Sequence, residues 1–248
     1  MAGKPAHRAD HGAVAVRGLL LAIQFLTRLP TPRGTASDAD FAASIRWFPL
    51  VGLLIGALVA GAGWLARGDA WIGALAALAV WIGVTGALHL DGLADLTDAR
   101  GAAHGDRARL LAVLADPHVG SFGVVALVLQ IVAKLVLLHA LVTAGLWAPL
   151  VLIPFAARIG PLVWTRWLPP LHAGLASRFR AAVRRVDIAV WMVVLVSVAF
   201  VWPAILVTPL LLAGWALYLR RAIGGISGDG HGAGIELVET ALLVAALL

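Results

Sequence analysis

The sequence predicts an all-α fold: a polytopic helical membrane protein with about six to eight membrane segments and polar active-site loops on the cytoplasmic face. Three observations predict it. Of the 248 residues, 61% are hydrophobic and only 13% charged, against about 25% charged in a soluble domain. Apolar runs of roughly 20 residues, enough to cross a bilayer as a helix, recur along the chain. The basic residues fall unevenly on the loops that alternate between such runs. The reading is one integral membrane domain over residues 1–248, with 1–12 as a flexible N-terminal tail.

In chain order, the N-terminus is not a secretory signal. Lys4 and Arg8 suit an n-region, but Arg17 interrupts the next apolar run, and Arg28 and Pro30 follow without a small-residue cleavage site. Val14 to Leu29 is short enough either to span or to lie at the interface. Trp47 to Ala66 and Ala70 to Leu90 are full-length runs. Gly120 to Val142 is interrupted by Lys134, and Leu146 to Thr165 by Arg158. Ile188 to Leu219 is longer than one span needs. Pro203 and Pro209 predict a turn inside it, hence a helical hairpin. Ile235 to Leu248 is a short C-terminal apolar segment.

Alternating these runs puts Pro30–Arg46, Asp91–Val119, Arg166–Asp187 and Arg220–Gly234 on one side. That side holds twelve of the nineteen basic residues, and the opposite turns hold Arg67 alone. The excess predicts a cytoplasmic location for the long loops. In this setting the net charge of +6 reads as topology, and no nucleic-acid partner is expected. Trp64, Trp71, Trp147, Trp164 and Trp167 fall near run ends, as an aromatic belt would. With no cysteine, disulfides, thiolate metal sites and cysteine nucleophiles are excluded.

Three groups of residues carry the chemistry. From His89 to Asp98 the chain reads HLDGLADLTD. Asp91, Asp95 and Asp98 share one helical face. Such a stripe suits Mg²⁺, which takes a few carboxylates together with substrate phosphates. It equally suits a solvated first helical turn. From Gly224 to Gly234 the chain reads GGISGDGHGAG, six glycines in eleven residues, followed by Glu236 and Glu239. So many glycines disfavour a helix and predict a loop whose N–H groups approach an anion closely. Asp229 lies within it. Lys134 and Arg158 lie inside apolar runs, where a charge usually faces a protein interior or a wet cavity. His118, in Asp116–Gly123, reads as structural. Arg178, Arg180, Arg184 and Arg185 read as a headgroup-facing stripe or as a surface that gathers an anionic substrate. Acids for a metal, glycines for close approach and cations for phosphate are the equipment of phosphoryl transfer.

At these residues the sequence resembles cobalamin synthase, the adenosylcobinamide-GDP ribazoletransferase family. The resemblance runs from about Leu20 to Leu248. It rests on Phe25–Pro32, Trp47–Gly52, His89–Asp98, Asp116–Gly123 and Gly224–Glu239, in that order. The departures are small: Ser227 where the family usually has threonine, and Ala87 and Ala99 where glycine is common. The resemblance implies an Mg²⁺-dependent enzyme of the bacterial inner membrane. It would join adenosylcobinamide-GDP to α-ribazole or its 5′-phosphate, giving adenosylcobalamin or its phosphate, and GMP. Asp91, Asp95 and Asp229 are the expected metal ligands. Asp98, Glu236 and Glu239 are further ligands or acceptors of the attacking hydroxyl's proton. Lys134, Arg158, Gly225 and Gly228 are expected at substrate phosphates, and His89 as a supporting group or proton relay. Expected partners are the two substrates and the lipid bilayer, with an oligomer or other membrane enzymes of cobalamin assembly left open. Two rival readings stand beside this: a phosphotransferase acting on a CDP-alcohol, and a transporter. The first usually has a DxxDG…AR…GxxxDxxxD pattern that is missing here. The second would place polar groups at the bilayer midplane in two related halves.

Overall fold

A computed structural model describes residues 11–32, 34–172 and 174–248. Most of the expected N-terminal tail and Arg33 lie outside the described residues. The helices are α1 (His11–Leu26), α2 (Asp38–Ala43), α3 (Phe48–Leu65), α4 (Ala70–Thr85), α5 (Leu88–Ala103), α6 (Arg107–Leu114) and α7 (Ser121–Ala144). They continue with α8 (Trp147–Ala157), α9 (Gly160–Trp167), α10 (Leu175–Ala182), α11 (Arg185–Val198), α12 (Thr208–Ala222) and α13 (Gly228–Ala245). Short 3₁₀ turns at Ser44–Trp47 and Pro203–Val207 lead into α3 and α12. The all-α expectation is met among the described residues, where β pairing is limited to one bridge between Pro170 and Ile226.

The number of spans is smaller than expected. Among the described residues, four helical stretches are long and apolar enough to cross a membrane: Asp38–Leu65, Ser121–Ala144, Trp147–Trp167 and Pro203–Ala222. A fifth is reached only by taking α4 and α5 together, and these are bent by 82°. The expected run Ala70–Leu90 therefore breaks at its end. Gly86 and Ala87 both adopt left-handed conformations, with φ of 61° and 59°. The Arg28 side chain packs over Gly86, in the space a Cβ would need. The expected hairpin over Ile188–Leu219 is reduced to one candidate span, Pro203–Ala222, preceded by the shorter helix α11. α11 stops at Val198, Pro203 opens the 3₁₀ turn, and Pro209 lies in the first turn of α12, where its missing N–H costs nothing.

Two helix pairs form the centre. α3 packs on α8 through Gly52 and Gly56, whose missing side chains admit the backbones of Pro154 and Val151. This is the small-xxx-small device that lets helices approach within a membrane. α5 packs on α13 in the same manner. Around them, α7 turns Val125, Val128, Leu129, Val132 and Val136 outward, as a lipid-facing stripe would be. Trp64 and Trp71 are exposed beside the α3–α4 turn, consistent with a belt, but Trp164 is wholly buried. Its indole Nε1 donates to the Leu212 carbonyl at 2.9 Å, so it is a core residue that anchors α9 to α12.

Candidate active site

The expected glycine loop is largely a helix. Ser227 caps α13, its hydroxyl accepting from the Gly230 N–H at 3.0 Å. Gly228, Gly230, Gly232 and Gly234 all lie inside the helix. A glycine in a helix interior costs about 1 kcal/mol of helix propensity relative to alanine; close packing offsets that cost at Gly230, Gly232 and Gly234, while Gly228 opens the helix in free space. A Cβ on Gly232 would lie 3.2 Å from the His89 carbonyl oxygen and 3.5 Å from Gly92 Cα. A Cβ on Gly92 would lie 2.9 Å from Asp229 Cα. Gly225 serves a different close approach, against the Pro169 carbonyl, where Ile226 N–H donates to Pro169 O at 2.9 Å.

That packing brings the two acidic segments together. Asp91 in the first turn of α5 and Asp229 in the first turn of α13 line one cavity of about 140 Å³, together with Gly228, His89 and His231. Asp95 lies one turn beyond Asp91, near enough for the charges of Asp91, Asp229 and Asp98 to act on it. His172 and Asp91 both act electrostatically on Asp229. The other walls are apolar. Phe25, Phe48 and Phe179 meet there in a ring cluster with centroids 5.7 to 6.1 Å apart. Sequence reasoning missed these rings as lining. Phe25 and Phe48 stood in recognisable motifs, but nothing local marked Phe179, flanked by two arginines, as facing inward.

The carboxylate oxygens of Asp91, Asp95 and Asp229 are the hard donors a divalent ion such as Mg²⁺ takes. Among the described residues, no group of three or more Asp, Glu, His or Cys side chains is disposed as a metal cage. Two carboxylates at one cavity wall are donors of the kind an ion completed by substrate phosphates uses.

Other expected site residues are engaged elsewhere. Asp98 is buried, and its two oxygens accept the backbone N–H groups of Gly120 at 2.7 Å and Gly123 at 2.8 Å. It caps the N-terminus of α7 from the side. Such donors are the orphan groups of a helix start, and a carboxylate there also meets the positive end of the helix dipole. Its place on the acidic stripe made it look like a ligand; tertiary packing gives it this second task.

Lys134, Arg158, Glu236 and Glu239 form a buried ion network between α7, the end of α8 and α13. Lys134 Nζ lies 2.7 Å from Glu236 Oε2 and 2.6 Å from Glu239 Oε2, and Arg158 Nη1 lies 2.8 Å from Glu239 Oε1. Gln130 Nε2 donates to Glu236 Oε2 at 2.8 Å and to Thr240 Oγ1 at 2.8 Å. Arg158 also donates to the Pro154 carbonyl, and the Lys134 ammonium sits 4.4 Å from the Trp81 ring centroid. Two cations and two carboxylates balance. The expected phosphate-binding cations and the expected extra acids thus neutralise one another behind the cavity. His89 joins the two regions: its Nδ1 is 3.5 Å from Arg158 Nη2, while its buried Nε2 has no hydrogen-bond partner and the residue lines the cavity.

The surface groups are simpler. Asp116 and His118 are exposed and bonded to each other at 2.6 Å, and the His118 side chain holds the Asp116 carboxyl below its ordinary range. Arg184 pairs with Asp187 at 2.7 Å, and Arg180 donates to the Leu168 carbonyl.

The family model described as cobalamin-5-phosphate synthase matches residues 18–247. The chain is 66% identical over 234 residues to an adenosylcobinamide-GDP ribazoletransferase of Novosphingobium aromaticivorans, covering 92% of this chain and 95% of that one. It is 53% identical over 240 residues to the protein so named in Laribacter hongkongensis, covering 94% and 97%. It is 48% identical over 234 residues to the one in Thiobacillus denitrificans, covering 93% and 95%. No solved structure matches the chain.

Proposed function

The chain belongs to the cobalamin-5-phosphate synthase family, and from that premise we infer that it is an adenosylcobinamide-GDP ribazoletransferase. It transfers the phosphocobinamide group of adenosylcobinamide-GDP to α-ribazole or its 5′-phosphate. The ribazole hydroxyl oxygen attacks the phosphorus on the cobinamide arm and the pyrophosphate P–O bond breaks. GMP leaves with the bonding electron pair, and the hydroxyl proton passes to a carboxylate. The observation that carries this reading is the meeting of Asp91 and Asp229, from segments far apart in sequence, at one cavity.

The reaction is Mg²⁺-dependent in this reading. Asp91 and Asp229 would hold the ion, with substrate phosphates completing its shell and Asp95 one helical turn behind, and the ion would supply charge neutralisation at the pyrophosphate. The chain's own groups do the rest. Asp91 and Asp229 stand at the cavity wall, where one accepts the hydroxyl proton. His89 Nε2, buried and without a partner, offers a hydrogen bond to a substrate oxygen or a water. The Phe25, Phe48 and Phe179 rings exclude water and offer a flat apolar wall to the base of α-ribazole.

Part of the same proposal is a bacterial inner-membrane location with the cavity facing the cytoplasm. The twelve basic residues on one set of loops support that orientation. The deciding experiment incubates purified protein with adenosylcobinamide-GDP, α-ribazole and Mg²⁺. Stoichiometric cobalamin product and GMP are expected. Binding of both substrates without GMP release would overturn the reading.

A further inference from the structure

A second cavity, of about 260 Å³, lies between the α5–α6 turn and the end of α12, and it shares no lining residue with the first. Arg100, Arg107, Arg220 and Arg221 all line it. Two of these arginines have a clear local task. Arg100 Nη1 donates to the Ala222 carbonyl at 3.0 Å, and Arg107 Nη1 donates to the Ile223 carbonyl at 3.4 Å. These bonds close the C-terminus of α12 and fix two guanidinium groups in place, leaving most of each fork unused. Arg220 and Arg221 are not needed for that closure.

Among the described residues none of the four arginines pairs with a carboxylate. One acid lines the cavity, Asp106, and it is occupied at the start of α6, where its Oδ1 accepts the N–H groups of Ala108 and Arg109. Four like charges around one small hollow repel one another unless an anion lies among them. Guanidinium forks match phosphate oxygens in geometry as well as charge. α12 is one of the candidate membrane-crossing stretches, so its terminal arginines stand at a membrane boundary. Basic pockets between helix ends bind phospholipid headgroups by the same chemistry that binds free phosphate.

We propose that the Arg100–Arg107–Arg220–Arg221 cavity is a phosphate-binding site, separate from the Asp91–Asp229 cavity. Its ligand is either the phosphodiester of an anionic lipid or a soluble phosphate monoester. The proposal stands whether or not the transferase reading holds, because its test reads binding and not turnover.

Delipidated full-length protein in a neutral detergent is titrated with sodium phosphate and, separately, with phosphatidylglycerol. Sodium chloride keeps ionic strength constant, and the thermal unfolding midpoint is followed. Saturable stabilisation by at least one probe is expected. Response to phosphate assigns a soluble phosphate; response to phosphatidylglycerol alone assigns a headgroup. R220Q/R221Q should weaken the apparent Kd about tenfold or more, since a hydrogen bond to a charged group is worth at least that factor. The exposed single variant R221Q should weaken it in the same direction, and R178Q/R185Q, on another surface, should leave it unchanged. The proposal is overturned if neither probe stabilises beyond chloride, or if R178Q/R185Q weakens binding as much as R220Q/R221Q.

Discussion

Gly92 on α5 lies against the backbone of Asp229 on α13, so closely that a methyl group at residue 92 would sit 2.9 Å from Asp229 Cα and 3.0 Å from its carbonyl oxygen. Backbone cannot swing aside as a long side chain can. Gly92→Ala should push α13 off α5 and move Asp229 relative to Asp91. Overpacking of this kind costs about 1–3 kcal/mol, and small displacements of reacting groups cost turnover steeply. A lower unfolding midpoint with GMP release reduced about tenfold or more is expected. Unchanged turnover in Gly92→Ala would mean that the spacing of the two aspartates does not matter.

Asp91→Asn and Asp229→Asn keep side-chain size and remove charge. Each should abolish most Mg²⁺-dependent turnover, and the double variant should be scarcely worse than either single, because groups acting as a unit are non-additive. Chelation with EDTA should reproduce the loss in the wild-type protein. Asp98→Asn should behave differently. It weakens a helix cap, at a cost of about 1 kcal/mol, and the folded fraction should turn over with ordinary Mg²⁺ dependence.

The ion network predicts an unequal pair of variants. Lys134→Met leaves Glu239 with Arg158 and removes the cation paired with Glu236, and breaking a buried pair typically costs about 3–5 kcal/mol. The double variant Lys134→Met/Glu236→Gln restores charge balance around the Arg158–Glu239 pair, and it should be the more stable of the two. Unfolding midpoints in detergent measure this. In whatever folds, the KM for adenosylcobinamide-GDP should stay near wild type. A specific rise in that KM would return Lys134 to the substrate phosphates.

Ala87 holds a left-handed conformation at φ 59°, which costs an L-residue roughly 1–2 kcal/mol. Glycine removes that strain and costs about 0.5–1 kcal/mol through the unfolded chain. Ala87→Gly should therefore stabilise the protein by about 0.5–1 kcal/mol, seen as a higher unfolding midpoint with activity retained.

Much about this protein is carried by local composition and spacing. The abundance of apolar residues and the scarcity of charge dictate a helical membrane protein, because backbone in a bilayer must satisfy its own hydrogen bonds. The HLDGLADLTD stretch is helical as its spacing implies, and the order of its motifs with the others identifies the family. Tertiary structure decided what those residues touch. The 82° bend after Thr85 depends on a left-handed Gly86–Ala87 pair that hydropathy does not register. Glycines that read as a loop largely form a helix, where Gly232 lies backbone-close to α5 and Gly234 lies against Trp164 and Trp215, and that packing offsets their poor propensity. Asp98 and Asp91 look equivalent on a helical wheel, yet one meets the N–H groups of α7 and the other a cavity. Lys134, Arg158, Glu236 and Glu239 look like four separate functional charges along the chain. In space they are one neutral cluster, because burial makes each unpaired charge costly and the nearest opposite charge is the cheapest remedy.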